Sequence, residues 1–132
     1  FVQKGDLSQY NEARMPVWMD GNVFLHGAKP CQCEQDPLVV PEFDPAVRLS
    51  QQPDGLYLEF AFDPAWIAAR QRTLVTTALL GTAAIAGVPY ENADGSPLAI
   101  DTDFRGVARS QANPTPGPFE RPGSGRLAVK IR

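Results

Sequence analysis

The clearest alternation of apolar and polar positions lies at Leu56-Tyr-Leu-Glu-Phe-Ala-Phe62. Leu56, Leu58, Phe60 and Phe62 share one face of a strand, and Tyr57, Glu59 and Ala61 take the other. Pro53-Asp-Gly55 stands just before it, supplying a preset φ and then a residue tolerant of positive φ. Val47-Arg-Leu-Ser50 therefore folds back as the partner strand of a hairpin. A second pattern begins at Met15 and leads through Val17-Trp-Met19 to a polar turn at Asp20-Gly-Asn22. Val23 and Leu25 then face one side of a short strand, with Phe24 and His26 on the other. A strand of this kind, closed by Gly27-Ala28, predicts one rung of a β-solenoid, with Asn22 near a corner bonding neighbouring backbone. One rung cannot bury its own face and needs another stacked on it. No second copy is legible, so its neighbour is expected before Phe1 or in another chain.

The rest of the chain reads as short elements. Cys31 to Pro45 is polar and then proline-rich, the pattern of a surface loop. Asp63-Pro64 opens a short helix running to about Arg72, with Asp favoured as N-cap and Pro at the first helical position. Trp66 and Ile67 should pack inward, while Arg70 and Arg72 suit the negative end of the helix dipole. Thr73 to Ile85, interrupted by Gly81, predicts two strands in preference to one helix. Tyr90 to Pro97 is a turn region, followed by a short strand at Leu98 to Ile100. Ala112 to Pro122 carries too much proline for a central strand. Leu127, Val129 and Ile131 alternate in a final strand, with Lys130 and Arg132 outward. The expectation is a mostly β chain forming one unit over 1–132. Within it, 1–30 is the rung region and 31–132 holds the hairpin, short helix and C-terminal cap.

Composition supports short strands and many turns: 13 Pro and 11 Gly in 132 residues are too much punctuation for a helical bundle. That length suffices for one modest core. A net charge of −3 gives no electrostatic reason to expect a nucleic acid or an anionic membrane as partner. No apolar run approaches the roughly 20 residues of a membrane span. The start at Phe1 shows neither an initiator Met nor a targeting segment, which predicts a trimmed, processed or cloned piece and leaves localisation unread. Cys31 and Cys33 lie in Cys-Gln-Cys, where a bridge would be a strained ring. With one His and no second Cys pair, a closed zinc site is not expected, and the two cysteines read as free thiols beside a turn. Gly81-Thr-Ala-Ala and Gly87-Val-Pro lack the spacing and Lys of a phosphate loop. No metal and no cofactor are expected.

A further set of residues resembles a known ending. Ile100-Asp-Thr-Asp-Phe-Arg-Gly-Val-Ala-Arg109, followed by Gly117-Pro-Phe-Glu120, is similar to the close of right-handed parallel β-helix carbohydrate enzymes. Asp94-Gly-Ser-Pro-Leu98 fits the short turn before that close. Taken with Asn22-Val-Phe-Leu-His-Gly-Ala-Lys-Pro30 and Leu74-Val-Thr-Thr77, it looks most like glycoside hydrolase family 120, whose members act as β-xylosidases. Two departures stand out. The usual Gly-Ala-Tyr close is Gly-Pro-Phe here, and a further strand follows it.

The resemblance implies the end of a right-handed parallel β-helix with added hairpin strands and one short helix. It implies the C-terminal portion of a glycoside hydrolase acting on plant oligosaccharides, β-xylosides first, capping the solenoid and lining the substrate cleft. Retaining enzymes of this chemistry use two carboxylates about 5–5.5 Å apart. Neither matches a position in this chain, so the catalytic pair is expected elsewhere in a larger parent and the isolated chain is expected to be inactive. The implied partners are an oligosaccharide and the remainder of the parent, or a second chain completing the helix. The alternatives are a stand-alone β-sandwich carbohydrate-binding module, a polysaccharide lyase fragment on the same scaffold, and a purely structural domain.

Four residues stand out as sugar contacts. Trp18 offers an aromatic face for a sugar ring, against its plainer reading as a corner residue. Asp20 at the corner, His26 after the strand and Glu34 in the following loop complete the set, each also readable as a solvated turn residue. Asp101 and Asp103 alternate on one edge, but two oxygen ligands fall far short of the six to eight of a calcium site. They read as parts of the cap.

Overall fold

A computed structural model describes residues 18–83 and 85–132, and the expectations for Phe1 to Val17 lie outside them. Near the start, β1 (Met19–Asp20) and β2 (Val23–Leu25) are followed by β3 (Glu34–Gln35) and β4 (Leu38–Val40). β1 pairs with β3 and β2 with β4, both in parallel. Met19 faces Glu34, Val23 faces Leu38 and Leu25 faces Val40, so every partner stands fifteen positions further on. The corner between the strands repeats at the same offset. Gly21 has φ 64° and Asp36 φ 43°, both left-handed. Glycine enters that region without cost, and Asp is among the few other residues that tolerate it. Across the corner, Gly21 N–H donates to Gln35 O and Leu38 N–H to Asn22 O, each at 2.9 Å.

The stretch expected to be a surface loop after Cys31 thus carries a second turn stacked on the first. It escapes a pattern search for physical reasons. Asp36-Pro37 replaces Gly21-Asn22 at the corner, and the three-residue strand Leu38-Val-Val40 is too short to show a period. Its burial still alternates, with Leu38 and Val40 half-buried and Val39 exposed.

The second sheet is antiparallel, in the order β5 (Arg48–Gln52), β6 (Gly55–Phe62), β7 (Gly125–Lys130). The expected hairpin turns tightly between Gln52 and Gly55. Gly55 has φ 152°, and a Cβ there would stand 2.2 Å from the Arg132 carbonyl oxygen. That oxygen accepts from Leu56 N–H at 3.0 Å, and Ile131 N–H donates back to Leu56 O at 2.9 Å. Only a residue without a side chain lets the two segments approach so closely. The alternating final strand pairs with β6, setting buried Val129 opposite Leu58.

The apolar face of β6 packs on rings. Phe62 and Phe43 meet the buried Trp66 edge-on, at 5.2 and 5.0 Å between centroids, and Phe60 stacks on buried Phe119 at 5.8 Å. Offset and edge geometries suit the quadrupole of aromatic rings. Trp66 rides on α1 (Ala65–Ala69), where the Asp63 carboxylate accepts from Ala65 N–H at 2.9 Å. The helix is shorter than expected, since Arg70 is already extended at φ −141°, ψ 141°.

The two strands expected around Gly81 are absent among the described residues. Thr77–Leu80 form one helical turn, α2, begun by Thr76, whose Oγ1 accepts from Leu79 N–H, and ended by Gly81 at φ 68°. An N-cap hydroxyl and a left-handed terminal glycine here outweigh β-branched composition. The strand expected at Leu98 to Ile100 is reduced to a single bridge from Ala99 to Thr76. The described chain is mostly β, with two short helices, part parallel and part antiparallel.

Candidate functional site

After α1 the chain must satisfy the free carbonyls of the helix end. Two side chains do this. Asn113 Nδ2 donates to Ile67 O at 2.8 Å and Arg70 O at 3.2 Å, while its Oδ1 accepts from Arg72 N–H. Arg72 Nη1 donates to Trp66 O at 3.0 Å and Arg70 O at 3.3 Å. Its Nε crosses to the first stacked turn and donates to Gly21 O at 2.7 Å. Arg72 thus meets the helix end, as its charge suggested, but it does so buried and reaches on to the first turn. Burial pushes its pKa down, an effect partly offset by the carboxylates of Asp36 and Asp20. A Cβ on Gly21 would stand 3.0 Å from Arg72 Cγ and press on that side chain, besides having to take the positive φ.

Beside that guanidinium lies a cleft of about 220 Å³. Trp18, Asp20 and Asn22 from the first turn form one wall, and Arg72, Thr73, Val75 and Leu79 the other. Trp18 is 47% exposed, leaving much of its ring open. The cleft thus gathers an aromatic face with a carboxylate, a carboxamide, a guanidinium and a hydroxyl. This mixture can stack on one face of a polyol and hydrogen-bond its hydroxyl groups.

Two of the four residues singled out in the sequence, Trp18 and Asp20, share this cleft. Glu34 is not in its wall. The Glu34 carboxylate accepts from Asn22 N–H at 3.1 Å and from Asn22 Nδ2 at 2.9 and 3.1 Å, holding a wall residue in place from behind. His26 is exposed, at φ 50° just past β2, and lies outside the cleft. Arg72 and Thr73 were missed as cleft residues, because nothing in the local sequence shows that an arginine at a helix end also reaches a distant turn.

A second cavity, of about 320 Å³, is mostly apolar. Val23 and Leu25 of the first turn, Leu58, Phe60 and Phe62 of β6, and Phe119 line it. The faces predicted to point inward do converge, but on space that the described residues leave open.

The segment expected to be a cap is pinned by Asp103. Its Oδ1 accepts from Arg105 N–H at 2.7 Å and Val107 N–H at 2.9 Å, and its Oδ2 from Glu120 N–H at 2.8 Å. Desolvation works to raise its pKa, but these amides and the Arg105 side chain overcome it and hold the carboxyl at about 2. Buried Glu120 in turn accepts from Thr115 N–H at 3.0 Å, with Arg109 at 3.9 Å. Asp101 stays exposed, so the two aspartates do not act together.

Fold and cleft together define a mostly β unit in which stacked parallel turns meet an antiparallel sheet beside a polar, aromatic-walled cavity. Neither a family model nor a curated protein sequence matches the chain. A solved structure described as the complex of XylC with xylose superposes on 98% of it, with a TM-score of 0.78 and 28% identity. The chain spans 20% of the length of that XylC chain, so its counterpart there is one portion of a protein about five times as long. The chain is thereby related, in structure and in part in sequence, to a protein solved with a pentose sugar bound.

Proposed function

We propose that this chain is the C-terminal portion of a glycoside hydrolase of the family 120 kind, acting on β-xylosides. It closes one end of a right-handed parallel β-helix, and 1–132 form a single unit of rung region and cap. The observation that carries this reading is the superposition of nearly the whole chain on one fifth of XylC. The fifteen-residue parallel register supports it, because a repeating turn is how a solenoid is built. The open apolar cavity beside Val23 and Leu25 supports it too, since a preceding turn of the parent would cover that face. In this reading Trp18 stacks on a sugar ring while Asp20, Asn22 and Arg72 hold its hydroxyl groups or orient those that do. The two reacting carboxylates belong to the rest of the parent.

The test compares the isolated chain with its parent on an aryl β-xyloside. Negligible turnover by the 132 residues and robust turnover by the parent are expected; robust turnover by the fragment alone would overturn the placement of the active site. Formation of unsaturated products absorbing in the near ultraviolet would make the parent a lyase. A β-sandwich binding module is not favoured, because it requires two facing sheets and the described residues hold one antiparallel sheet.

A further inference from the structure

Three sulfur atoms meet behind the first stacked turn. Glu34 N–H donates to Cys31 O at 3.2 Å, closing a tight turn that brings the cysteines of Cys31-Gln-Cys33 to the same place. Glu34, the next residue, is the ladder partner of Met19, so the register sets the Met19 thioether over that turn. The buried Cys31 thiol lies 3.4 Å from Met19 Sδ, and the half-buried Cys33 thiol, two positions on, is close enough to Cys31 to feel it. Neither cysteine is in a disulfide. Core packing explains one buried thiol, but not two thiols and a thioether converging with one thiol open to solvent.

We propose that Met19, Cys31 and Cys33 form a binding site for one soft monovalent cation of the copper(I) class. Thiolate and thioether donors select soft ions, and copper(I) accepts three such ligands. Zinc suits the site poorly, since its structural sites take four nitrogen or sulfur ligands. Among the described residues no three His, Cys, Asp or Glu side chains converge on a point that could hold a metal; here the third donor is the methionine. Cys33, half-exposed, is the way in. On binding, the ion replaces one proton on each thiol, both protons leave to solvent, and the oxidation state of copper is unchanged. Because each thiol gives up a proton when the ion binds, affinity must climb with pH.

The experiment is an anaerobic titration of the full protein with copper(I), with bicinchoninate as competing chelator. One equivalent is expected to stay with the protein through this site, its affinity rising by up to about 100-fold per pH unit below the thiol pKa, because two protons are displaced. Cys31→Ser or Cys33→Ser should abolish that retention. Met19→Leu, which keeps volume, should weaken it about tenfold or more. A second measurement needs no variant: the bound ion should protect Cys31 and Cys33 from alkylation by iodoacetamide, read by mass spectrometry. Surrender of all copper to the chelator, or alkylation of both thiols at the same rate with and without copper, would overturn the site. Unchanged affinity in Met19→Leu would overturn its three-sulfur form.

Discussion

Arg72 and Asp103 show how single side chains join parts that are distant in sequence. All the hydrogen bonds drawn above from the Arg72 guanidinium go to carbonyl oxygens, one on the first turn and the others at the end of α1. Arg72→Ala is expected to destabilise the fold by about 3 kcal/mol, from the bonds lost to a charged donor and the carbonyls left unpaired; urea unfolding of the two proteins measures this. Asp103 predicts a pH effect. Its carboxyl sits at about 2 in the fold against an ordinary value of 3.8. The unfolded chain binds the proton more readily, so this contribution is fully present above about pH 4 and falls away as pH drops through 2. Asp103→Asn should therefore flatten the stability profile between about pH 4 and 2, with no further acid loss from this position. Thermal melts across that range decide it.

At the scale of elements, legibility followed the length of the signal. β6 was legible because seven residues, Leu56 to Phe62, alternate against a turn with its own chemistry, and β7 because Leu127 and Val129 alternate in the same way. The second stacked turn was not, because its strands have two and three residues and its corner changed from Gly-Asn to Asp-Pro. α2 was hidden by a conflict. Thr76 and Gly81 specify a helix start and stop, while Thr77 and the apolar run between them read as strand. Local capping won. Thr76→Ala should cost about 1 kcal/mol and raise amide exchange over Thr77–Leu80, with the exchange at β6 unchanged. The cleft was half legible. Trp18 and Asp20 follow from an aromatic and an acid at a predicted corner, but Arg72 reaches it only through tertiary packing 51 positions from Gly21.

For the whole molecule, the open cavity beside Val23, Leu25 and Phe60 matters most. Exposed apolar surface of that kind attracts hydrophobic dyes and other chains. The isolated 132 residues are therefore expected to bind anilinonaphthalene sulfonate with strong fluorescence enhancement, and the longer parent to bind it far more weakly. Equal enhancement in both would mean that the parent does not cover this face. If Trp18 stacks on the sugar as proposed, Trp18→Ala in a longer parent raises KM for an aryl β-xyloside with a smaller change in kcat, because such stacking holds ground and transition states alike.

The carbonyl-only bonding of Arg72 also fixes an order of events. A guanidinium does not lose its proton in acid, and bonds to backbone carbonyls do not depend on a carboxylate staying ionised. The C-terminal segment held by Asp103 does. Two seams in one small chain thus answer to different conditions. As acidity rises the tail from Asp101 to Arg121 should come loose first, while the first stacked turn stays clamped to α1. Hydrogen exchange followed down the pH scale would then show a molecule that frays from its C-terminal segment while Arg72 still joins the first turn to α1.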